Sequence, residues 1–158
     1  MQEIERKFLV NSLKFKEEAS NSFPIAQGFL NTHAERTVRV RIKGTQGFLT
    51  IKGKSNESGT SRFEWETEIP IEEATQLLQL CESGIIEKIR YNIPLGNHVF
   101  EVDEFFGENE GLIVAEVELQ QEHEAFQKPT WLGEEVTGHR KYYNSQLSKK
   151  PYKTWHHE

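Results

Sequence analysis

The chain has one cysteine, Cys81, in 158 residues. That excludes an internal disulfide and any multi-cysteine metal site, and it fits a reducing compartment. No apolar run approaches the ~18 residues that a membrane-spanning helix needs, and no signal-peptide pattern is visible. The expectation is a soluble, cytoplasmic protein with no membrane partner. An excess of basic residues is also missing: Lys and Arg number 19 against 25 Asp and Glu, for a net charge of −6. This argues against a nucleic-acid-coating role, because phosphate backbones need surplus Lys and Arg. The six histidines show no zinc spacing, and the terminal His156-His157 reads as solvated. No glycine-rich phosphate loop occurs.

What remains is a polar but not disordered chain, 35% apolar and 28% charged, long enough to bury a core as one domain spanning 1–158. Its apolar residues favour Ile, Val and Phe, which suits strands. "QEIERKFLV", "IAQGFLNT", "RTVRVRIKG", "GFLTIKGK", "RFEWETEIPI", "IIEKIRYNI", "NHVFEVDEFFG" and "GLIVAEVELQ" read as strands. Short joints such as "HAE", "TQG", "PLG" and "ENEG" suit hairpins. "EEATQLLQLCES" reads as an amphipathic helix with Leu77, Leu78 and Cys81 turned inward, and "HRKYYNSQL" as a helix in the tail. About eight strands in succession point to an antiparallel meander able to close on itself, which removes exposed edges. Cys81 and Trp65 have ordinary packing roles in this scheme, and Trp131 falls in a loop.

Strand side chains alternate, so each strand carries two lists. One is apolar, running from Ile4 and Phe8 through Val38, Val40 and Ile42 to Val117 and Leu119. The other is charged: Glu3, Glu5 and Lys7; Arg39 and Arg41; Lys52; Glu64 and Glu66; Lys88 and Arg90; Glu101 and Asp103; Glu116 and Glu118. A one-sided sheet with a wet face would alternate in the same way. The charges here, however, are sorted by sign within each strand. Like charges two residues apart on one face repel unless something of opposite charge sits between them. Paired carboxylates suit a hard divalent cation, and paired Arg and Lys suit phosphate or carboxylate. Both together suggest a metal-bound polyphosphate. With charged faces inward, an eight-stranded barrel has room for one small ligand. Helices or a second subunit would then cover the apolar outer faces, making a homodimer one expectation. Periodicity alone does not decide which face turns inward.

The order of "EIERK", "VRVRIKG", "LTIK", "FEWETEI", "EKIRY", "FEVDEFFG" and "AEVEL" resembles the CYTH, or triphosphate tunnel metalloenzyme, family, over essentially the whole chain. With "EEVTGHRKYYN" near the end, it is most similar to the short bacterial inorganic triphosphatases. The resemblance implies a mainly β (α+β) fold: a closed eight-stranded antiparallel tunnel with a few flanking helices and a C-terminal plug helix. It implies Glu3, Glu5, Asp103, Glu116 and Glu118 as metal ligands for Mg²⁺ or Mn²⁺. Lys7, Arg39, Arg41, Lys52 and Arg90 would hold phosphate oxygens, and Lys141 or Arg140 would reach in from the plug. Lys88 would lie at the reaction centre, with Glu5 and Glu118 as the carboxylates on which turnover depends. Glu64 and Glu66 match wall positions that serve a second metal or hold the basic groups. Some short members carry an aromatic hydroxyl on the second strand where this chain has Phe29, so a role for such a hydroxyl does not carry over.

The implied reaction is metal-dependent hydrolysis of inorganic tripolyphosphate to pyrophosphate and phosphate. Carboxylates suit Mg²⁺ and Mn²⁺, which are hard and prefer oxygen, and arginine adds bidentate contacts. Rival reactions are thiamine triphosphate hydrolysis and cyclisation of ATP, though no adenine pocket is evident. A rival of another class is a non-catalytic polyphosphate or nucleotide binder, which would gain little from complete carboxylate pairs.

Overall fold

Alternating β-branched, aromatic and charged residues take up extended backbone almost wherever the pattern persists. The computed structural model describes residues 2–155. In chain order the elements are β1 (Gln2–Val10), α1 (Phe15–Glu18), β2 (Asn21–Asn31), β3 (Arg36–Lys43), β4 (Gln46–Gly53), β5 (Ser61–Ile69) and α2 (Ile71–Gln79). There follow β6 (Ile86–Leu95), β7 (His98–Phe105), β8 (Ile113–Glu118), β9 (Leu132–Glu135) and α3 (Asn144–Leu147).

The sheet closes as an eight-stranded antiparallel barrel. Its strand order is β5-β4-β3-β2-β6-β7-β8-β1, and β1 pairs back onto β5. This is not a plain meander. Succession breaks between β1 and β2 and between β5 and β6, where α1 and α2 lie in the connections. Strand β1 makes the closure by dividing one edge. Gln2 to Ile4 pair with β5, while Phe8 and Val10 pair with β9, a ninth strand that "LGEE" does not announce. The other edge of β1 pairs with β8, setting Glu5 opposite Glu118 and Lys7 opposite Glu116.

Outside the barrel, Phe8, Ile93, Phe100, Val102, Ala115 and Val117 form a core capped by Phe15 and Trp131. Trp131 is fully buried, and its indole N–H donates to Glu18 at 3.1 Å. Helix α2 covers β2, β3 and β4. It approaches so closely that a Cβ at Gly47 would stand 2.6 Å from Ala74 Cβ. The helix stops at Gln79, short of the expected span, because the Glu82 N–H leaves to bond Phe29 O at 2.8 Å. Cys81 follows this stop and packs over Gly28 on the outer face of β2. Ile51, Phe63 and Trp65 remain exposed on β4 and β5.

A second core fills one end of the barrel interior. Phe29, Ile86, Phe105 and Val114 project inward there and meet Leu112, Val136, Tyr142 and Leu147. The interior is therefore charged over part of its length and apolar at this floor. The tail that seals it is not one helix. A 3₁₀ turn at Arg140–Tyr142 and the short α3 are separated by Tyr143, which is extended at φ −69°, ψ 137°. The break lets Tyr142 and Leu147 both bury in the floor while residues between them face the tunnel. His156-His157 lies outside the described residues.

Candidate active site

Closure turns the charged lists inward, as period-2 geometry requires once the apolar faces pack outside. They line a cavity of about 250 Å³. Its wall carries seven carboxylates and eight cations, together with Phe29, Thr37, Thr50 and the tail residues Tyr143, Asn144 and Ser145.

The carboxylate wall comes from β1 and β8. Lys7 Nζ lies 2.6 Å from Glu116 and 3.3 Å from Glu5. Burial pushes the Glu5 carboxyl up to about 8, and the neighbouring Glu116 charge adds to the effect. Burial works the same way on Glu116, but Lys7 and Arg90 overcome it and hold that group well below the usual carboxylate range. The Glu118 carboxyl is raised by burial and by Glu3 and Glu101. Lys52 Nζ reaches Glu3 at 2.9 Å and Glu64 at 3.5 Å.

The basic wall comes from β3, with support from β4, β5 and β6. Glu66 is the shared acceptor for Arg39 at 3.4 Å and Arg41 at 3.5 Å. The Nε of each of these arginines is buried without a hydrogen-bond partner among the described residues. Burial, then the charges of Arg39 and Arg90, depress Arg41 to about 9. Since a guanidinium stays protonated, the depression registers burial first and crowding of like charge second.

At the border with the apolar floor lie Lys88 and Arg90. Arg90 grips Asp103 through two bonds of 2.8 and 2.9 Å. Lys88 Nζ reaches the same carboxylate at 2.8 Å and Asn144 Oδ1 at 2.9 Å. Burial takes the Lys88 ammonium down to about 8, opposed by Asp103 and assisted by Arg90.

The structure thus brings Glu3, Glu5, Lys7, Arg39, Arg41, Lys52, Glu64, Glu66, Lys88, Arg90, Glu116 and Glu118 to one cavity. Two expected site residues stand apart. Asp103 is 3% exposed and has both oxygens engaged by Arg90 and Lys88. Lys141 does not enter the tunnel: its ammonium sits 4.7 Å from the Trp155 ring centroid and 5.3 Å from that of Tyr142. Lys141 is exposed, and Arg140 lines a neighbouring hollow. Lys43 and Arg62 also line the cavity. Extending the alternation of β3 and β5 by one step would have found them, whereas nothing local marks Asn144.

Among the described residues, no three His, Cys, Asp or Glu side chains stand ready to hold an ion as they are arranged. Glu3, Glu5, Glu64, Glu66, Glu101 and Glu116 are turned to the tunnel's own cations. Their donor chemistry nevertheless fits a hard divalent metal: Glu3, Glu5, Glu116 and Glu118 are all oxygen donors. Glu5 and Glu118 are held up by burial and, beyond it, by neighbouring negative charge that such an ion would relieve.

Fold and site together define a class: a closed antiparallel β-tunnel whose inner wall sets carboxylates against guanidinium and ammonium groups. The chain belongs to the CYTH domain family, whose model matches residues 1–151. It is 47% identical to an inorganic triphosphatase of Acetivibrio thermocellus over 154 residues, covering 97% of both chains. It is 39% identical to an inorganic triphosphatase of Nitrosomonas europaea, covering 94% of this chain and 97% of that one. A crystal structure of an inorganic triphosphatase superposes with a TM-score of 0.65 at 34% identity, covering 92% of this chain and 93% of the other. Membership in this family of tunnel metalloenzymes implies a divalent metal.

Proposed function

We propose that the chain is a single-domain, metal-dependent inorganic triphosphatase that hydrolyses tripolyphosphate to pyrophosphate and orthophosphate within the tunnel. One observation carries the reading: each wall is crowded by its own charge. Burial, then the charges of Arg39 and Arg90, depress Arg41 to about 9, and burial, then the charge of Glu116, raises Glu5 to about 8. A polyphosphate relieves the first wall and a divalent cation the second.

Arg39, Arg41, Lys52 and Arg90 bind and orient phosphate oxygens, the two β3 arginines with Nε donors still uncommitted. Lys88 stabilises charge on the terminal phosphoryl group at the closed end. Glu66 and Glu64 hold the basic side chains in place. Asp103 is assigned to orienting Arg90 and Lys88. Mg²⁺ or Mn²⁺ held by Glu3, Glu5, Glu116 and Glu118 would supply charge neutralisation at phosphate oxygens and assist a water nucleophile. In the balanced reaction, water adds to the terminal phosphorus and one phosphoanhydride bond breaks. Orthophosphate and pyrophosphate leave. Phe105 and the other floor side chains exclude bulk water from that end, which strengthens every charge interaction there.

The test is phosphate release from tripolyphosphate, ATP, thiamine triphosphate and pyrophosphate, each with Mg²⁺, Mn²⁺ or chelator. Fast metal-dependent release from tripolyphosphate, with little from the organic triphosphates, supports the reading. Tight tripolyphosphate binding without turnover under any metal would move the protein to the binder class.

A further inference from the structure

The structure assigns positioning roles to Asn144 and Gln27: together they form an amide bridge that fixes the Lys88 ammonium and aims its remaining donor into the tunnel. This rests on the triphosphatase reading above. An ammonium has three N–H donors and no acceptor. In Lys88, one donor goes to Asp103 Oδ2 at 2.8 Å and another to Asn144 Oδ1 at 2.9 Å. With two donors anchored and the Phe105 ring centroid 5.3 Å away on the floor side, rotation about the last side-chain bond stops, and the third donor, without a further hydrogen-bond partner among the described residues, is left for the cavity that Lys88 lines.

The orientation of both amides follows from the ammonium. Only the oxygen of Asn144 can face it. The same oxygen accepts the Gln27 Nε2–H at 2.9 Å, so the nitrogen of Gln27 must face Asn144. The Gln27 Oε1 is then left buried without a partner among the described residues. Turning the amide over would set two oxygens against each other. Gln27 is fully buried on β2, so it is a rigid stop for the Asn144 side chain.

The bridge joins two parts of the molecule. Barrel strands supply Lys88, Asp103 and Gln27, but Asn144 comes from the tail. Tyr142 and Leu147, on either side of it in sequence, are both buried in the apolar floor, which holds Asn144 in place. Without Asn144 the ammonium keeps, among the described residues, Asp103 as its one polar partner, whose same oxygen already serves Arg90.

The experiment uses the full-length protein with tripolyphosphate and Mg²⁺. Asn144→Ser, tolerated at a helix start, and Asn144→Ala should each lower kcat on the order of 10-fold or more, as misplacement of a reacting group does. KM should stay close to wild type, and the thermal midpoint should hardly move. Gln27→Leu should act in the same direction, more weakly. Combined with Lys88→Met, Asn144→Ser should add no further loss, because both act through one ammonium. A second readout needs no turnover: the wild-type Lys88 ammonium should give a slowly exchanging ¹⁵N–¹H resonance that Asn144→Ser broadens. Wild-type kcat with an unchanged resonance would overturn the proposal, as would an equal loss in the Lys88→Met background. If the wild-type protein released no phosphate with any metal, the triphosphatase reading would fall, and the resonance would still decide whether Asn144 holds Lys88.

Discussion

The inner face of this barrel has two regions built on the same strands. On β8, Glu118 and Glu116 face the tunnel and Val114 faces the floor; on β6, Arg90 and Lys88 give way to Ile86. One step of the pleat separates a residue surrounded by ions from one packed in hydrocarbon. The charged region gains little stability from its own contents, because desolvation of buried ions offsets much of their attraction. The floor stabilises the closed barrel and lowers the effective dielectric beside Lys88. Function and stability are therefore divided along the barrel axis, and substitutions in the two regions should have opposite signatures.

The largest effect is expected in the charged region. Glu5→Gln or Glu118→Gln should reduce turnover of tripolyphosphate by about 10²–10³-fold or more, the scale of losing a group that acts on developing charge. The thermal midpoint near neutral pH should be maintained, since burial, then the Glu116 charge, already disfavours the charged Glu5 carboxylate in the metal-free protein. Wild-type rates at limiting Mg²⁺ would remove these residues from the metal set. The floor should behave in reverse. Phe105→Ala should cost about 3–5 kcal/mol in denaturant unfolding, the usual range for a buried Phe, and a loss under 1 kcal/mol would mean that the floor is not packed as described.

Arg39→Ala should raise KM for tripolyphosphate and lower kcat, each by about 10-fold, in line with one hydrogen bond to a charged group. An unchanged affinity would place Arg39 outside the substrate path.

The next effect is a pH slope. Glu5 titrates at about 8 in the fold, against an ordinary value of 4.5. A raised carboxyl means that the native state binds the extra proton. Its contribution is fully present below 4.5 and is lost as pH rises through about 8. Glu116, depressed instead, loses its contribution only as pH falls below its ordinary 4.5. In chelator, Glu5→Gln should flatten the decline of the thermal midpoint between these limits, and an identical slope in the mutant would contradict the assignment. The smallest effect lies outside both regions. Arg6 and Glu135 pair at 2.6 Å on the surface, partly open to solvent, so Glu135→Gln should cost less than about 1 kcal/mol and leave kcat unchanged.

Much of this molecule was legible in its residues. The alternation in "RTVRVRIKG" and "IIEKIRYNI" specified strands with one charged and one apolar face, because side-chain direction in a strand is a local property with period 2. Sorting by sign pointed to a cation-bound polyanion, since like-charged neighbours on one face need a counterion. Resemblance in the order of those segments added the closed tunnel and an expectation of residue roles. Other features depend on partners distant in sequence. The apolar floor escaped notice because Val114, Ile86 and Phe105 lie on the charged face of their strands, and only closure shows that they meet. The split edge of β1 and the pairing of β2 with β6 are long-range choices that no local pattern encodes. Lys141 matches a tunnel position by resemblance, whereas the fold sets its ammonium over the Trp155 ring. Asn144 looked like any polar tail residue until folding set its oxygen between Lys88 and Gln27. Local chemistry determined which residues carry charge and on which face; the tertiary structure decided which of those charges meet, because that depends on strands brought together from opposite ends of the chain.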